Sequence, residues 1–72
     1  MKEILLKRWE KKMVVIELKY APSMEQAYHL YLGMPAYGIT TMVPFDTKED
    51  AEETFSAAIK GAEEVLKRRE KR

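Results

Sequence analysis

The sequence predicts an α+β fold: a small antiparallel or mixed sheet of about three strands packed against a long C-terminal helix and a short middle helix, in the order β-β-α-β-α. Three observations carry this reading. Apolar residues recur at helical spacing through the last third of the chain, and Val14, Ile16, Leu18 and Tyr20 alternate onto one face. Capping residues stand at both ends of residues 23–35. The 72 residues suit one domain, 1–72, with no linker or repeat inside it.

The C-terminal helix is the best marked element. Ala51, Phe55, Ala58, Ile59, Ala62, Val65 and Leu66 form one apolar stripe. Asp46 and Thr47 both suit the N-cap, with Glu49 and Asp50 following at capping-box spacing. Acidic residues fill the first turns and Lys67, Arg68 and Arg69 the last, so both ends oppose the helix dipole. The spacing predicts a helix over 47–70. Gly61 interrupts it on the flank of the stripe, where close approach of a bulky neighbour would explain the missing side chain.

Met13–Tyr20 is dense in β-branched residues and reads as a strand. Residues 2–12 fit a first strand, joined by a hairpin through Glu10-Lys11-Lys12 that lacks any Gly or Asn turn residue. They also fit a helix, because Leu5, Trp9, Met13 and Ile16 share a helical stripe. Ser23 with Gln26 makes a capping box, and Met24, Ala27, Tyr28 and Tyr31 follow helical spacing. Gly33-Met34-Pro35 then reads as a C-cap and stop, predicting a helix over 23–35. The rival reading is a strand over Ala27–Leu32, since Tyr-His-Leu-Tyr-Leu has high β-propensity. Tyr37–Val43 makes the last strand, closed by Pro44.

The net charge of +1 hides an uneven distribution. Residues 1–22 sum to +3, residues 23–46 to −2 and residues 47–72 to zero. The middle carries only Glu25, Asp46 and His29 as ionisable acid or base groups, but three of the five Met and three of the four Tyr. Absence of cysteine excludes a disulfide framework and a thiolate zinc site. No run approaches the roughly 18 apolar residues of a membrane span, and the N-terminal segment lacks a signal-peptide apolar region. A soluble chain without membrane partners, cytoplasmic if natural, is the expectation.

Catalytic chemistry is thinly represented. His29 is the only histidine, and Glu25 lies four residues before it, on the same face if the segment is helical. One His and no Cys make a poor transition-metal site, and the three glycines are too scattered for a phosphate loop. No enzyme activity, cofactor or metal is expected. Nucleic-acid binding is the alternative. Arg8, Lys11 and Lys12 surround Trp9, and basic groups interleaved with an aromatic can hold phosphates while stacking bases. The leading expectation is a protein contact surface, for a protein partner or a second copy, built from Tyr28, Tyr31, Met34 and Tyr37 in the uncharged middle. Tyr and Met are enriched at interface cores from which charge is depleted.

Phe45 followed by Asp46-Thr47-Lys48-Glu49-Asp50-Ala51 resembles the sheet-to-helix junction of small integrase arm-type DNA-binding domains. The Val14-Val15-Ile16-Glu17 run, a Tyr-containing strand and the Asp46-Thr47 helix start are similar to HicB-like antitoxin domains. That family's Leu-Pro-Gly-Cys turn is replaced here by Met34-Pro35-Ala36-Tyr37. Residues 47–69 also resemble computationally designed sequence, with caps, dipole-matched charge and Glu/Lys-rich helix formers all in agreement.

Overall fold

A computed structural model of the chain describes residues 2–70, the side chain of Glu70 excepted. Four strands, β1 (Ile4–Lys11), β2 (Val14–Tyr20), β3 (Tyr28–Met34) and β4 (Ile39–Phe45), precede one helix, α1 (Lys48–Glu70). The strands form an antiparallel meander in the order β1-β2-β3-β4, and α1 crosses one face, chiefly over β2 and β3. The α+β class stands, but the element order is β-β-β-β-α, with four strands where about three were expected.

The difference lies in residues 23–35. The helix expected there is a loop followed by β3, and a 3-10 turn at Pro35–Tyr37 leads into β4. Local capping signals lose to pairing on both sides. Leu30 lies opposite Leu18 on β2 and Val43 on β4, and is fully buried. A helix at this point would leave the edges of β2 and β4 without partners, at the cost of their ladder hydrogen bonds. The Ser23 region closes a loop, in which the Ala21 N–H donates to the Ala27 carbonyl (2.7 Å) and the Met24 N–H to the Ala21 carbonyl (3.0 Å). Gly33 is no helix cap; it lets β4 approach. A Cβ there would overlap the Ile39 carbonyl and lie 2.9 Å from the Thr40 Cα.

Of residues 2–12, Ile4–Lys11 form a strand rather than a helix, and β1 meets β2 through Lys12 and Met13 alone. Lys12 adopts φ 56°, the left-handed conformation that glycine or asparagine ordinarily supplies. The helix start follows the sequence closely: the Asp50 N–H donates to Thr47 Oγ1 at 3.2 Å, so Thr47 is the cap.

Register sorts the side chains onto two faces. Ile16, Leu18 and Leu30 face the helix and pack with Ala51 and Phe55 as the buried core, with Trp9, Tyr28 and Phe45 around it. Arg8, Glu17, Lys19, His29 and Tyr31 fall on the other face, which no element covers. The core is small for the surface it must organise. The chain exposes 5386 Å², where a compact protein of 8.4 kDa exposes about 4600 Å². Its radius of gyration is 13.0 Å, against about 11 Å for a compact chain of this length.

Candidate binding surface

The largest apolar opening follows from a mismatch of lengths. The 23 residues of α1 run for about 34 Å at helical rise. The seven residues of β3 or β4 reach only about 23 Å. The first half of α1 is seated by Ala51 and Phe55 on the core. In the second half Ala58, Ile59 and Ala62 still reach the core, but beside them a cleft of about 400 Å³ opens between the helix and the strand ends. Met34 and Ile39 line it from the sheet, and Ala58, Gly61, Ala62 and Val65 from the helix. Ile39 stays 56% exposed and Val65 51%, so the mouth of the cleft is largely apolar, with Arg69 the charged residue of its lining. An adjoining recess of about 290 Å³ shares Val14 and Met34 and brings in Met13 and Tyr37.

Of the four residues expected to form one contact surface, two are here. Met34 lines both recesses, and Tyr37 stands 62% exposed beside the smaller one. Tyr28 lies on the helix side against the core, with its ring 5.0 Å from that of Tyr20. Tyr31 points to the opposite face, where Lys19 Nζ lies 4.8 Å from its ring centroid. The four therefore do not share a surface. Helical spacing had united Tyr28 and Tyr31; the two-residue period of a strand separates them.

Ile39, Val65 and Met13 were not among the contact residues expected from the sequence. One signal did point toward the cleft. Gly61 sits in its wall, and a Cβ built there meets nothing within 4 Å, so the bulky neighbour expected from the sequence is absent among the described residues.

The same alternation divides the basic segment. Arg8 lies on the open face, paired with Glu10 (2.9 Å) and Glu17 (3.0 Å), while Trp9 packs against the core on the helix side. Lys11 lies beside Lys60, Glu63, Glu64 and Lys67 of α1. Lys12 occupies the turn and borders the smaller recess with Arg69. The hairpin tip and the helix C-terminus thus share one basic end, while Trp9, on the same face as Lys11, packs against the core.

The open face holds the most ordered polar cluster among the described residues. His29 is 5% exposed, with Nδ1 3.1 Å from Glu3 Oε2 and Nε2 2.8 Å from the Gln26 carbonyl oxygen. Both partners accept, so the ring satisfies both only when each nitrogen carries a proton. The Tyr31 hydroxyl donates to the same Glu3 oxygen at 2.7 Å. Hydrogen bonds from Tyr31 and then His29 hold the Glu3 carboxyl below its usual range. The bond to Glu3, with burial second, raises the Tyr31 phenol above its own. The cluster ties the start of β1 to β3 across β2. Glu25 and His29 do border one recess of about 470 Å³ with Asp46, but both nitrogens of His29 are committed elsewhere. Among the described residues no group of three His, Cys, Asp or Glu side chains could hold a metal ion. No helix among them is long and apolar enough to cross a membrane.

No protein-family model, curated protein or solved structure matches the chain. The short resemblances at the helix start and along β2 therefore do not extend to a family. Absence of any match is consistent with a novel or designed sequence.

Proposed function

We propose that this chain is a small, non-enzymatic binding module whose contact surface is the apolar cleft between the C-terminal half of α1 and the ends of β3 and β4. The observation that carries the reading is exposure of Ile39 and Val65 around an apolar cleft of about 400 Å³ that nothing in the described chain covers. Single exposed apolar residues need no explanation, but a contiguous set lining a concave surface does. Met34 lines the cleft and Tyr37 the adjoining recess, which supports keeping these two as contact residues. Two variants test it, Val65→Glu and Ile39→Lys, each at a position more than half exposed. Uptake of the apolar dye anilinonaphthalene sulfonate, or association of the protein, should be lost in both. A wild type that neither takes up dye nor associates, or that does either unchanged by both variants, overturns the reading.

A second reading is favoured by one observation. Lys11 and Lys12 stand at the same end as Lys60, Lys67 and Arg69, opposed there by Glu63 and Glu64. That end suits a phosphate backbone without base stacking on Trp9. Affinity for a single-stranded oligonucleotide that falls steeply with salt supports it, and absence of binding at low salt removes it.

A further inference from the structure

We infer that the occupant of the cleft is a second copy of this chain, laid antiparallel so that each α1 covers the exposed β4 side of its partner. This rests on the reading of the cleft as a contact surface and adds the identity of what fills it.

Four features point to self-association. The first is area: exposed surface exceeds that of a compact protein of equal mass by roughly 800 Å², the amount each partner buries in a standard interface. The second is charge. The first half of α1 carries Glu49, Asp50, Glu52 and Glu53 against Lys48, whereas Lys60, Lys67, Arg68 and Arg69 outnumber Glu63, Glu64 and Glu70 beyond it. Two copies related by a two-fold axis, with helices antiparallel, set each acidic half against a basic one. A parallel arrangement would oppose like charges.

The third is the helix flank. Ala58, Gly61 and Val65 recur at i, i+3 and i+7 and face the cleft, and Gly61 has open space where its side chain would be. Glycine inside a helix is destabilising relative to alanine, and nothing within the described chain requires it here. Small residues on such a flank permit a second helix to approach to ~8 Å between axes. The fourth is the edge. β1 carries Lys7, Arg8, Glu10 and Lys11 on its edge position, while β4, the other edge, has no charged residue from Ile39 to Phe45. Charge is a usual means of keeping an edge from another chain; β4 lacks it and has only Pro44, near its far end, to blunt pairing.

Light scattering after size exclusion, from ~1 μM to ~1 mM, spans the dissociation constants of ordinary complexes and reads the result directly. The expected mass at the upper end is twice 8.4 kDa. Val65→Glu and Ile39→Lys should return it to 8.4 kDa with unchanged circular dichroism. Gly61→Leu should raise the dissociation constant ~10-fold or more while raising the melting temperature of the single chain, since leucine is the better helix former. A mass of 8.4 kDa throughout overturns the inference, as does a dimer indifferent to all three variants. A monomer that still takes up dye in a Val65-dependent way refutes the second copy alone. A monomer that ignores the dye refutes the contact surface as well.

Discussion

Gly33→Ala places one methyl group where β3 and the edge strand β4 approach closely, and its cost can be worked from the contacts. The new Cβ would overlap the Ile39 carbonyl oxygen and lie 2.9 Å from both the Ile39 carbonyl carbon and the Thr40 Cα. These are backbone atoms, so no rotamer relieves the contact. β4 must move away from β3 at the Gly33–Thr40 and Met34–Ile39 pairs. The φ of 159° is nearly extended and contributes little; the penalty is steric. Overpacking of this kind costs about 1–3 kcal/mol, and a ladder hydrogen bond weakened with it about 1 kcal/mol. Against the roughly 4–11 kcal/mol expected for a chain of this length, the loss is a large share of total stability. Urea unfolding followed by circular dichroism measures it. Because Ile39 lines the cleft, its displacement should also weaken association at that surface. Gly61→Ala supplies the contrast: nothing lies within 4 Å of its Cβ, and in the Val65→Glu background, which isolates the single chain, it should gain about 1 kcal/mol. A Gly33→Ala loss below about 0.5 kcal/mol, the ordinary surface range, would refute the close approach of the strands.

Lys12→Gly should stabilise the hairpin by about 1 kcal/mol, because it relieves a non-glycine residue at φ 56°; an unchanged urea midpoint would argue against that conformation. The Glu3 cluster predicts two pH limbs. Its carboxyl is held below the ordinary value, so its contribution is present above that value and is lost as pH falls through the folded one. The melting temperature of the wild type should therefore fall more steeply in acid than that of Glu3→Gln. Tyr31 is shifted upward, so its contribution is present below the ordinary phenol value of 10.0 and is lost as pH rises through the folded one. Tyr31→Phe should remove that alkaline limb, and identical melting curves for variant and wild type would exclude the bond to Glu3.

What could be read from sequence divides by the range of the forces involved. α1 and β2 were legible because their signals are local: a helical stripe begun by Thr47, and the alternation of Val14, Ile16, Leu18 and Tyr20. The segment around Tyr28 misled because two local signals coincided. Ser23–Gln26 and Gly33–Pro35 imitate caps, and Tyr28 with Tyr31 fits helical spacing as well as a strand. Pairing of Leu30 with Leu18 and Val43 decides the outcome, and that interaction is invisible in any short window. The separation of Arg8 from Trp9 was within reach, since adjacent strand residues must face opposite ways. The cleft was not, because it arises from the lengths of α1 and the strands once they are superposed.

Replacing the expected middle helix by a strand changes the covering of the sheet twice over. It widens the sheet to four strands, about 14 Å between the axes of its edges at strand spacing, plus the half-width of each edge. It also removes the second helix that would have shielded the added width. A single helix is about 10 Å across and cannot cover four strands. α1 accordingly sits on β2 and β3, and the helix-side residues of β4, Ile39 and Val43, stay exposed. Shifting α1 toward β4 would cover them only by exposing Trp9 and breaking the Lys7–Glu52 pair at 3.4 Å. No position of one helix buries both flanks. The uncovered strip beside β4 is thus a consequence of the strand count, and a second helix in register with the first is what the geometry lacks. A copy of the same chain brings that helix with the charge order that fits.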